Sequence, residues 1–90
     1  MAIVHVIQAN VLGKSEVAFD AHAIQRMAAR SVTEAQVVAT LQNPDLTGLR
    51  ADPGRRRVRR YYGRHHSIDV VFEEEPTRIV VITVVRVTRT

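Results

Sequence analysis

No cysteine and no tryptophan occur in the ninety residues, and phenylalanine and tyrosine contribute only two each. Without thiols there is no disulfide framework, and the core must be built from aliphatic side chains. Glycine is too sparse, at four residues, for a phosphate-cradling loop, and no Gly-x-Ser-x-Gly string occurs. Nucleoside triphosphatases and serine hydrolases are thereby disfavoured. No apolar run approaches the roughly 18 to 20 residues that cross a bilayer, so no membrane span is expected. The opening MAIVHVIQAN has no basic stretch ahead of an apolar one. The default expectation is therefore a cytoplasmic address rather than export. A chain this short holds one core and buries only about 60 to 65% of its unfolded surface. Its stability must come from tight packing or from a partner, and self-association is one way to supply it.

What is present is positive charge of one chemical kind. All but one of the thirteen cations are arginine, and the formal net charge is +4. They cluster: Arg50, Arg55, Arg56, Arg57, Arg59, Arg60 and Arg64 face a single acid, Asp52, within one short stretch. A planar guanidinium binds phosphate through two parallel hydrogen bonds, so a concentrated arginine stripe is the electrostatic footprint of a polyanion. RNA or DNA is the first candidate. A solvated strand face made soluble by charge is the plainer alternative.

Ile3-Val4-His5-Val6-Ile7 is short and β-branched, and Gly13-Lys14 interrupts before Glu16-Val17-Ala18-Phe19, which reads as two weak strands or an extended arm. Asp20 offers an acceptor to the free amides of a first turn and opens a helix from Ala21 to about Arg30, with Ile24, Met27 and Ala28 as its core ridge. Thr33 and Gln36 have capping-box spacing, so a second helix runs to about Asn43 before Pro44 and is buried by Val37, Val38 and Leu41. From Asp45 the pattern becomes alternating. Leu46 to Arg50 is a short strand candidate and 51–54 a turn. In Arg55 to Tyr62, Arg55, Arg57, Arg59 and Tyr61 share one face while Val58 and Tyr62 point toward a core. Ile68, Val70 and Phe72 face the core of the next strand. Arg78 to Val87, apolar on both sides, reads as the central strand. The expected fold is α+β: two N-terminal helices on a three- to four-stranded antiparallel sheet, with residues 1–15 an extra strand or arm and residues 16–90 a single domain.

The first helix places His22, Arg26 and Arg30 four residues apart on one ridge. A histidine exchanges a proton near neutral pH, and arginines bind phosphate and stabilise the charge that builds on it, so the set suits phosphodiester cleavage. His22 lies in the first turn, where the positive end of the helix dipole favours a neutral base or a bound phosphate. An amphipathic helix also needs a polar face, and these residues are one way to fill it. Thr83 is a lone hydroxyl on a face otherwise made of Ile79, Val81, Val85 and Val87; its partner could be His22, or it could simply be a good strand former. Tyr61, His65 and His66 lie beside the arginine stripe, where they could stack on bases or remain ordinary loop residues. Adjacent His65 and His66 make a poor metal site, and no cofactor or metal is expected.

The string Val17-x-Phe19-Asp20-x-His22-Ala23-x-x-Arg26-Met27-x-x-Arg30-x-Val32-Thr33 resembles the signature of a widespread uncharacterised bacterial domain family. The likeness extends through Thr40-Leu41-x-x-Pro44, the arginine-rich strand, Val70-Val71 and Val81-Ile82-Thr83-Val84. That family is grouped with the barnase, colicin and RelE-like ribonuclease toxins, which share an N-terminal helix followed by an antiparallel sheet. The resemblance implies a small, metal-independent endoribonuclease of the toxin type. His22 would serve as acid or base for attack by the ribose 2′-hydroxyl, and Arg26, Arg30 and Thr83 would complete the catalytic set. Arg55, Arg57, Arg59, Tyr61 and Arg64 would hold the RNA. It also implies a cognate antitoxin, while the N-terminal arm could mediate a homodimer. A non-catalytic nucleic-acid-binding module, or an interaction domain docking an acidic partner, are the alternatives. Ser31 stands where the family commonly has glycine, so the first helix is expected to end without the usual left-handed residue.

Overall fold

The computed structural model describes residues 2–89 and orders them as β1 (Ile3–Val11), β2 (Lys14–Asp20), α1 (Ala21–Arg30), α2 (Glu34–Gln42), β3 (Arg56–Tyr62), β4 (His66–Glu74) and β5 (Arg78–Thr88). The helix starts follow from their caps. Asp20 is extended and its carboxylate accepts from the His22 amide at 3.1 Å, and Thr33 and Gln36 form a reciprocal capping box. At the other end of α1, Ser31 adopts the left-handed conformation itself (φ 55°, ψ 43°), so a left-handed cap is present without glycine. Its amide and that of Val32 satisfy the terminal carbonyls of Ala28 and Met27. The expectation that this cap would be missing is corrected.

The sheet has five strands in the order β1-β2-β5-β4-β3, with β2 parallel to β5 and every other pair antiparallel. This corrects the expected three- to four-stranded antiparallel sheet behind two N-terminal helices. A β1–β2 hairpin precedes the helices, and its second strand lies directly beside β5. The chain crosses from β2 to β5 through both helices and the β3–β4 hairpin. As its two-sided apolar pattern predicts, β5 is the middle strand. The Leu46–Arg50 strand candidate reduces to one isolated bridge between Leu46 and Arg59.

Both helices lie on one side of the sheet. Ala23 and Met27 of α1 and Val37 and Leu41 of α2 pack with Phe19, Val58, Ile68, Val70, Phe72, Ile79, Val81 and Val84 in the main core. Ala28, expected in that core, is exposed. Ala18, Val80 and Ile82 form a second, smaller cluster on the opposite side, with Ile3 and Val71 against it. Among the described residues, no helix is long and apolar enough to cross a membrane.

Candidate nucleic-acid interface

Strand alternation sends Arg55, Arg57, Arg59 and Tyr61 to the side of the sheet that carries no helix, and Val58 and Tyr62 to the helix side. Directly opposite Arg59 in register is Asp69 of β4, an acid set between Ile68 and Val70 and 0% exposed. Stripping a carboxylate of water costs several kcal/mol, roughly, unless hydrogen bonds replace it. Here two arginines do so. Arg57 donates from Nε to Oδ2 at 2.7 Å and approaches it with Nη2 at 2.6 Å. Arg59 donates from Nε to Oδ1 at 2.6 Å and from Nη2 to Oδ2 at 3.0 Å. Burial alone would push the Asp69 carboxyl up, but the hydrogen bonds from Arg59 and Arg57 outweigh it and hold the group below the usual carboxylate range. The Arg59 guanidinium is raised, chiefly by its hydrogen bond to Asp69.

Both arginine side chains remain partly exposed, 30% for Arg57 and 22% for Arg59. A buried ion pair contributes little net stability over an apolar pair of the same volume. What the arrangement does supply is orientation: two guanidiniums fixed at one point of the stripe. The neighbouring cations are held more loosely. Arg55 meets Glu73 at 3.4 Å, Arg56 meets Glu74 at 2.8 Å, and Arg89 lies over the Tyr61 ring at 5.5 Å. Arg64 is exposed in the β3–β4 turn. A cleft of about 270 Å³ opens beside Arg57, lined by Arg50, Asp52 and Arg55 as well as by Val71 and Thr83 from the central strands.

Thr83 therefore belongs to this face, on the other side of the sheet from His22, which the sequence allows as one possible partner. The β4–β5 ladder pairs Phe72 with Val81 and Val71 with Thr83, so Ile82 is an extra residue. That bulge flips the alternation: Ile79 and Val81 face the helices, whereas Thr83, two residues on, faces the arginines.

His22 and Arg26 lie on the outer surface of α1, both exposed, with Arg26 Nε 3.5 Å from His22 Nε2. Arg30, one turn on, is half-buried and its Nε has no hydrogen-bond partner among the described residues. Its carbonyl accepts from Arg86 at 3.3 Å. Of the first-turn amides that could attract a phosphate, that of His22 is already taken by the Asp20 carboxylate, which also accepts from the Ala2 amide at 3.0 Å. The four residues expected as one catalytic set are thus divided between the two sides of the sheet. His66 Nδ1 sits 3.3 Å from the Thr88 hydroxyl, away from the arginine face. Among the described residues, no three His, Asp or Glu side chains converge as a metal site would require.

Asp69 is the residue that sequence reasoning passed over. The sequence shows only that it interrupts the apolar run from Ile68 to Phe72; its two arginine partners come from the pairing with β3. Comparison with curated proteins and with solved structures finds no match. The family model described as a domain of unknown function (DUF4258) matches residues 19–86, which takes in α1 through most of β5 and leaves β1 outside, and the chain belongs to that family.

Proposed function

We propose that this protein binds single-stranded RNA across the helix-free face of its sheet. Arg57 and Arg59 would grip backbone phosphates, with Arg55 and Arg64 extending the track and Tyr61 offering a stacking surface. The observation behind this reading is the Asp69 clamp, which orients two partly exposed arginines side by side, Arg57 at the rim of a cleft and Arg59 next to it. Such preorganisation lowers the entropy lost when the Nη edge that each guanidinium does not use for Asp69 meets a phosphate. An acidic segment of an antitoxin-like protein would compete for the same arginines.

A second reading, endoribonuclease activity of the toxin type, is favoured by the His22–Arg26 contact and by the resemblance to ribonuclease toxins. In that reaction His22 would take the proton of the ribose 2′-hydroxyl as its oxygen attacks the adjacent phosphorus. The bond from phosphorus to the 5′-oxygen would break, the 5′-oxygen taking a proton from solvent water, which gives a 2′,3′-cyclic phosphate. Arg26 would stabilise the charge on the phosphate.

Fluorescence anisotropy with a labelled single-stranded RNA in EDTA, followed by gel analysis of the recovered RNA, separates the two. Binding that weakens steeply with salt, with RNA recovered intact, is the expected result. Cyclic-phosphate ends produced by the wild type but not by His22→Ala would transfer the assignment to the second reading. Absent or salt-insensitive binding would contradict the proposal.

A further inference from the structure

We propose that the outer edge of β1 pairs with β1 of a second copy of this chain, joining two five-stranded sheets into one across a twofold axis at Val6 or Ile7.

The two ends of the sheet are finished differently. Beyond β3, the segment 45–49 closes the edge: the Asp45 and Leu46 amides donate to the Arg59 carbonyl, Arg59 donates back to Leu46, and Leu49 donates to Arg57. The Asp45 carboxylate takes the Tyr61 amide at 2.8 Å. Beyond β1, no described residue pairs. Unpaired edges are usually kept apart by lysine, proline, short length or inward charge. β1 has none of these, and its two register irregularities, which could also blunt an edge, lie outside the span His5–Gln8. It runs nine residues, Ile3-Val4-His5-Val6-Ile7-Gln8-Ala9-Asn10-Val11, without Lys, Arg, Asp, Glu or Pro. Its one titratable side chain, His5, is engaged with Glu34 and lies over the Phe19 ring. Val4 and Val6 are 58% and 43% exposed.

The β1–β2 register defines where a partner would pair. Irregularities between Ile3 and His5 and between Gln8 and Val11 leave His5–Gln8 as the regular window. Past it, Gln42 Nε2 already takes the Asn10 carbonyl at 2.9 Å. In an antiparallel pair related by a twofold axis, a residue at the axis opposes its own copy. The centre of the window makes that residue Val6 or Ile7. Val6 pairs with Ala18, so it lies on the side of the Ala18–Val80–Ile82 cluster, and pairing would extend this apolar band from one copy to the next.

Charge selects the occupant. Each copy carries +4, and its cations gather on β3 and the loop before it, four strand spacings or roughly 19 Å from β1. That exceeds the Debye length of about 8 Å at physiological salt, so like-charged copies meet at neutral edges with their arginine faces at opposite ends. An acidic partner would find its complement at β3 instead.

Light scattering on the eluting full-length chain, from micromolar to millimolar, should give twice the 10.1 kDa chain mass. The double variant V4K/V6K should elute as a monomer with unchanged circular dichroism, whereas L46K at the closed edge should leave the mass unchanged. Because the chain has no cysteine, single substitutions provide a readout that does not depend on the lysine variant folding. Under mild oxidation, Cys at Val4, Val6, Ile7, Gln8, Asn10, Leu12 and Thr47 should cross-link with a maximum at Val6 or Ile7. A wild type that stays monomeric overturns the proposal and leaves the edge for a strand of a different protein. A flat cross-linking profile, a maximum at Thr47, or dissociation by L46K overturns it as well.

Discussion

The two sides of this sheet handle polar groups in opposite ways. Under the helices, the buried hydroxyl of Thr40 is satisfied internally, by the Gln36 carbonyl at 2.7 Å and Tyr62 at 3.1 Å, and the remainder is aliphatic or aromatic packing. On the bare side, the buried Asp69 is satisfied by side chains whose other ends stay in water. A polar group answered from within the core adds only to stability. One answered by partly exposed arginines also fixes the direction in which a surface charge is presented.

The contrast can be tested by disturbing each side in turn. The largest effect belongs to the helix side: Phe19→Ala empties a fully buried ring position and should cost about 3 to 5 kcal/mol in urea unfolding. RNA affinity per folded molecule should be unchanged, and a large loss of affinity at full folding would break the division between the sides. Asp69→Ala comes next, with a loss of about 2 to 3 kcal/mol at neutral pH, because the freed arginines can still be solvated. Since the folded carboxyl titrates below its unfolded value of about 3.9, its contribution is complete above that value and is lost as pH falls through the lower, folded one. The acid limb of the wild-type stability profile should therefore be steeper than that of the variant. Identical limbs would mean that the clamp is energetically silent. The smallest effect is at the cap: Ser31→Gly relieves a left-handed backbone and should raise stability by about 0.5 to 1 kcal/mol, with RNA affinity unchanged.

Local grammar made a good part of this fold legible. Asp20 and the Thr33–Gln36 box marked both helix starts, the alternation in β3 sorted Arg57 and Arg59 from Val58 and Tyr62, and the two-sided apolar run of β5 marked the central strand. Pairing was not legible, because alternation reports which side a residue faces and not which strand lies next to it. Nothing in Glu16 to Phe19 distinguishes a parallel neighbour in β5 from an antiparallel one. The position of Thr83 failed for a sharper reason: one bulged residue, Ile82, reverses the parity on which the assignment depended. The arginine face itself was read correctly from spacing. The acid that organises it was not, since Asp69 acquires its meaning only when β4 is laid beside β3.

The central claim is that the clamped arginines, not the α1 ridge, contact RNA, and charge-matched variants test it most directly. R57Q/R59Q/D69N and H22A/R26Q each lower the net charge by one, counting histidine as neutral, and the first leaves no buried carboxylate without a partner. The salt dependence of single-stranded RNA binding should fall in slope by about 1.4 for the first variant, as expected for two lost phosphate contacts, and stay at the wild-type value for the second. An unchanged slope for the first with a reduced slope for the second would contradict the account and move the interface to α1.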